Sequence, residues 1–266
     1  MPRRNYTRSG PGAPADPDSG VPLADTQSVR SRRQGWRIHL AGLVSCAAWA
    51  ALAWRSQDGD DPGKLAWWLT AQAVGWLMLA AVAGLDRGRL SRPAVLGWAL
   101  CFQLCGLFAE PVLEDDHFRF LWDGRVFAQG GDPYVRAPAA SFQDPEVPAE
   151  FQDILDRINH PDVPTVYGPV CQLGFALSHH IAPGRLWPWK LLLLSAEVAI
   201  VLALRRRLSD RRLLLLAWCP LAVAETAFNA HPDALGVALL MLAGAARPPW
   251  LAGVLAAASG GAKVFG

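Results

Sequence analysis

Apolar runs recur along the chain with polar stretches between them. They cover residues 36–54, 65–85, 93–113, 186–204, 213–228, 234–246 and 250–265. Most approach the roughly 20 residues that a membrane-spanning helix needs. One further stretch, 165–182, is only moderately apolar, carries Gly168-Pro169 and ends in His179-His180. The pattern predicts an all-α, polytopic membrane protein. Within the long polar interval after the third run, Asp116, Arg119 and Asp123 recur at i, i+3, i+7, with Phe118, Leu121, Trp122 and Val126 on a neighbouring face. That spacing predicts an amphipathic helix able to lie along a membrane surface, with three acids at its start. Gly130-Gly131-Asp132-Pro133 ends it.

Arginine placement orients the runs. Residues 1–35 are rich in Pro, Gly, Ser and Arg without apolar periodicity and read as a disordered cytoplasmic tail. The three runs in 36–113 then bring a loop, 114–164, to the extracytoplasmic face. If 165–182 crossed the bilayer, the arginines from Arg205 to Arg212 would emerge outside. The stretch 165–185 is therefore expected to be re-entrant or interfacial, as irregular backbone at membrane depth requires protein or water around it. Residues 186–266 supply the remaining helices.

Composition changes this picture little. The net charge of +2 is a small sum over segregated patches, and no nucleic-acid partner is expected. Five cysteines include no CxxC pair; Cys101 and Cys105 share a helix face and read as core packing.

The expected topology gathers Glu114, Asp115 and Asp116 with Arg119, Tyr167, His231 and Asp233 on one face. A carboxylate there can take the proton of an attacking hydroxyl. Arginines, with Arg119 and Arg125 the candidates, can hold a departing phosphate through forked hydrogen bonds. Trp122, Tyr134 and Tyr167 offer flat faces for a sugar ring, and Asp123 shares the polar face of the helix. Each has a plainer alternative. Asp115 or Asp116 can simply cap the helix, as can Asp233 the next one. The arginines can be solvated or touch lipid headgroups. Glu197 and Glu225, inside apolar runs, either pair with a neighbouring helix or line a cavity. No cofactor is needed if the arginines carry the phosphate charge; a divalent ion at Asp115 and Asp116 is the alternative.

Four blocks in order carry a resemblance: EDDHFRFLWDGRVFAQGGDPY, INHPDVPTVYGPVCQLGFAL, AWCPLAVAETAFNAHPDAL and GAKVF. Over roughly 93–266 the chain resembles bacterial integral-membrane glycosyltransferases of the GT-C type. The nearest branch is the polyprenyl-phosphate-mannose-dependent mannosyltransferases and their relatives in the glycosyltransferase 87 group (DUF2029). The resemblance implies a multi-pass hexosyltransferase of the bacterial inner membrane and cell envelope. It would move mannose from a polyprenyl-phosphate sugar to a lipid-linked or glycan acceptor among membrane lipids. Carried onto this chain, Asp115 or Asp116 is the base, Arg119 and Arg125 lie near the donor phosphate, and His231 and Asp233 line the acceptor or sugar pocket. Lys263 matches a family lysine without an assigned role. Pro232 stands where relatives more often have Asn, and relatives continue for several spans past the lysine. A fragment, an early stop or an inactive shortened scaffold are therefore also expected readings. A lipid-linked substrate transporter or flippase is the other class, which the external clustering of the acids disfavours.

Overall fold

The computed structural model describes residues 23–58, 62–85 and 90–262, with 23–34 by backbone alone. Helices joined by turns and loops make up these residues, with no strand among them. The expected tail falls mostly outside them, and α1 (Leu23–Ser56) starts well before the first apolar run. Next come α2 (Lys64–Leu85), α3 (Arg92–Gly106), α4 (Asp116–Ala128), α5 (Ala149–Leu155) and α6 (Pro169–Ile181). The chain continues through α7 (Trp187–Leu204), α8 (Asp210–Ala217), α9 (Pro220–Val223), a π-helical turn (Ala224–Phe228), α10 (Asp233–Ala245) and α11 (Pro249–Ala262).

Three segments are long and apolar enough to cross a bilayer: Gly35–Ser56, Lys64–Leu85 and Trp187–Leu204. Only 33%, 28% and 39% of their apolar windows are buried inside the protein, so most of each turns outward, as lipid contact requires. The chain is an all-α polytopic membrane protein.

Two expected spans differ. The run 93–113 yields a helix of 15 residues that stops at Gly106. Lys190, buried at the start of α7, explains the stop: its ammonium donates to Gly106 O (3.0 Å) and Ala109 O (2.6 Å). Gly106 O also accepts from Ala109 N–H (3.1 Å), and the lysine adds a donor to these carbonyls at the helix end. Pro111 then disfavours helix at Glu110. The run 213–228 is broken at Trp218 and Cys219 ahead of Pro220. It resumes as a π turn, in which Asn229 N–H reaches back five residues to Ala224 O (2.9 Å). The axis from Asp210 to Phe228 meets α10 at a bend of 116°.

Packing divides the interior. Trp49, Leu52, Phe102, Trp218 and Phe228 centre a core of α1, α2, α3, α8 and the π turn. A second cluster of Phe120, Phe175 and Trp189 joins α4, α6 and α7. In the first core Trp98 packs near Phe102, and Cys105 lies beside Cys46 of α1 (Sγ–Sγ 3.6 Å), with Cys101 exposed. On the cytoplasm-facing side expected from sequence, Arg92 ties the turn after α7, bonding Asp210 (2.6 Å), Arg205 O (2.7 Å) and Leu208 O (2.9 Å).

The helix α6 is 13 residues long, about 20 Å, well short of a bilayer's hydrocarbon core. It lies against α4 at backbone distance, because a Cβ on Gly124 would sit 2.5 Å from Phe175 O. Likewise, a Cβ on Gly168 would stand 2.1 Å from Gly261 O, so the last turn of α11 touches the start of α6. Gly124→Ala must push two backbones apart and is expected to cost about 1–3 kcal/mol of stability. Thermal melts of the detergent-solubilised protein check this, and an unchanged melting temperature would refute the close approach.

Candidate active site

The expected amphipathic helix exists, but protein covers both of its apolar faces. Phe118, Leu121, Trp122 and Val126 pack on Phe151, Ile154, Leu155 and Ile158 from α5 and the turn after it. Phe120 packs on Phe175 and Trp189. The helix is thus clamped between α5 and α6, not laid on a surface. It ends where Gly130 takes φ +80°, a left-handed position suited to glycine.

Its polar face is largely consumed by tethering. Arg119 donates to Asp123 through Nε (3.0 Å) and to Val163 O through Nη2 (2.5 Å). The second oxygen of Asp123 accepts from Gln172 Nε2 (3.1 Å), which also donates to Thr165 Oγ1 (3.0 Å). Burial pushes the Asp123 carboxyl up, against the lowering effect of its bonds to Thr165, Arg119 and Gln172. These contacts hold segment 163–172 against α4 and present Tyr167. Its hydroxyl donates to Asp116 Oδ2 (2.9 Å), while Tyr134 OH donates to Tyr167 O (2.9 Å). Burial, then the adjacent Asp116 charge, raise the Tyr167 phenol, which stays a donor. The ring is set edge-to-face against Phe120 (4.9 Å).

Beside this lies a cluster built from three segments. His231 Nε2 meets Glu114 Oε2 at 2.7 Å, and His231 Nδ1 meets Glu225 Oε2 at 2.6 Å. Ligating atoms of Glu114, Asp116 and His231 all fall within 4.8 Å of one another. The π turn carries Glu225 to this position. His231 N–H bonds back to Glu225 O (2.9 Å), and Ala230 takes φ +62°, an uncommon conformation for a residue with a Cβ. Asp233 opens α10 two residues later.

A cavity of about 780 Å³ opens on the far side of the acids. Glu114, exposed Asp115 and buried His117 line it with three cations, Lys64, Arg157 and Arg185. Asp115 precedes α4 without its side chain capping the helix. Asp116 instead faces a smaller space of about 230 Å³ with Arg119, His160 and Tyr167.

Residues 48–266 match the family model described as alpha-(1->6)-mannopyranosyltransferase, N-terminal domain (MptA_B family). The chain belongs to this mannosyltransferase family. No curated protein and no solved structure matches it. The family match spans every helix that builds the site, and it names the mannosyltransferase family without the narrower GT-C and DUF2029 branch.

Within this mannosyltransferase-family chain, the sequence-derived candidates separate into groups. Glu114, Asp115, Asp116, Tyr167 and His231 converge. Arg119 and Asp123 hold the scaffold together. Trp122 is buried in the α5 cluster, and Arg125 lies over the Phe151 ring (4.7 Å). Both also line a separate cavity of about 400 Å³. Lys263 lies outside the described residues, one position beyond Ala262 in the Phe120 cluster. Sequence reasoning did not single out Lys64, Arg157, Arg185 or His117. Glu225 was left open, although an acid six residues before His231 in an apolar run was the available signal. Glu197 pairs with Thr226 (3.0 Å) in the neighbouring π turn.

Burial lowers the His117 pKa from 6.5 to about 4. A depressed folded value means that stability is fully present above pH 6.5 and is lost as pH falls toward 4. At about 1.4 kcal/mol per pH unit, the loss comes to about 3 kcal/mol. Melts between pH 7 and 4 should show this slope, and His117→Gln should flatten it.

Proposed function

We propose that the chain transfers mannose from a polyprenyl-phosphate donor to a lipid-linked or glycan acceptor at the extracytoplasmic face of a bacterial plasma membrane, as a GT-C-type enzyme. The carrying observation is Asp115, a carboxylate that opens into the cavity holding Lys64, Arg157 and Arg185, in a chain of a mannosyltransferase family.

The reaction is one displacement. The acceptor oxygen attacks the anomeric carbon, and its proton passes to Asp115. The bond from that carbon to the phosphate oxygen breaks, and its electron pair leaves with the phosphate. Arg157 and Arg185 meet the growing negative charge, the role expected from sequence for Arg119 and Arg125. A single displacement inverts the carbon, so the α-1,6 linkage in the family's name calls for a β-linked donor. Asp116, held by Tyr167, borders the neighbouring smaller space.

Asp115→Asn should lower transfer of labelled mannose from polyprenyl phosphate by about 10²–10⁴-fold. Arg157→Met with Arg185→Met should lower it by about 10²–10³-fold. Circular dichroism and melting of the reconstituted chain should stay unchanged. Full turnover by Asp115→Asn refutes the base assignment.

A further inference from the structure

We propose that Glu114, Asp116 and His231 form a binding site for a divalent cation of the Mn²⁺ class, with Glu225 orienting the histidine. Two observations support it. First, one ligand atom from each residue lies within 4.8 Å of the others, and His231 Nε2 is 2.7 Å from Glu114 Oε2. Two atoms each about 2.1 Å from one ion at octahedral angles sit about 3 Å apart, so the pair is near chelating distance. Second, His231 Nδ1 is engaged by Glu225 at 2.6 Å. A carboxylate on one ring nitrogen fixes the tautomer and frees the other as a ligand, the usual support of a metal-bound histidine.

The donor set selects the ion. Two carboxylates and one imidazole suit Mn²⁺ better than Ca²⁺, which prefers oxygen alone. Three protein ligands leave open positions, and Glu114 also lines the cavity of about 780 Å³. Through Glu114 the ion would border the space assigned to the donor phosphate, whose oxygens would complete the coordination; this role rests on the proposed transfer. Tyr167, bonded to Asp116 Oδ2, steadies the second carboxylate. The strained Ala230 and the π turn hold the histidine and Glu225 in register.

The chelator-stripped chain, reconstituted in nanodiscs, is titrated with Mn²⁺ while electron paramagnetic resonance reports the free ion. Saturable binding of one ion per chain is expected. Glu114→Gln, at a half-exposed position that folding tolerates, and His231→Gln should each weaken binding by about 100-fold or more. Glu225→Gln, which acts only through the histidine, should weaken it by about 10–100-fold. Asp115→Asn should bind Mn²⁺ normally while losing transfer. Absent saturable binding, or binding unchanged in Glu114→Gln, overturns the site. Transfer at full rate from the stripped chain overturns the phosphate role. Intact Mn²⁺ binding in a chain inactive with every mannosyl donor overturns the transfer reading and leaves the site standing.

Discussion

A buried ion pair holds the candidate site together. Arg119 and Asp123 sit one helical turn apart on α4, with side-chain exposures of 10% and 2%. At that depth a lone charge is very unfavourable, and the pair is supported by further hydrogen bonds on both partners. Val163 O takes one arm of the guanidinium, and Gln172 takes the free carboxylate oxygen. The partners of the pair lie more than 40 residues downstream, so satisfying two charges fixes a long loop in place. Tyr167 reaches Asp116 as a by-product of that neutralisation. Two residues expected near substrate thus also decide where Tyr167 and Asp116 stand.

The same demand for satisfied polar groups shapes the membrane part. Lys190 supplies donors to the carbonyls at the end of α3, where the helix stops short of the bilayer's full depth. Its early exit carries Glu110, Glu114 and Asp115 back over α7 to the cavity. A full-length third span would have delivered the acids elsewhere. The π turn does comparable work from the other direction by bringing Glu225 and His231 to the same space.

Much of this was legible in the chain itself. Three spans were visible as long apolar windows, because lipid-facing surface needs no tertiary partner to be recognised. The start and end of α4 were visible because acids, helical periodicity and Gly130-Gly131 are local signals. Tyr167 and His231 were correctly gathered with the acids. Hidden were the features set by contact between distant segments. Nothing local marks Lys190 as a cap for α3. Arg157 and Arg185 look like ordinary loop cations until the fold turns them toward Asp115. Arg125 sits in the strongest motif of the chain, yet its helical angle points it to Phe151 and a different cavity.

The contact of Gly168 with Gly261 has a mechanical consequence. With no side chain on either residue, α11 and α6 meet backbone to backbone, leaving no compressible layer between them. Gly168 directly follows Tyr167, whose hydroxyl rests on Asp116. The packing of α11 is therefore coupled through a rigid backbone contact to the segment that carries Tyr167 to Asp116.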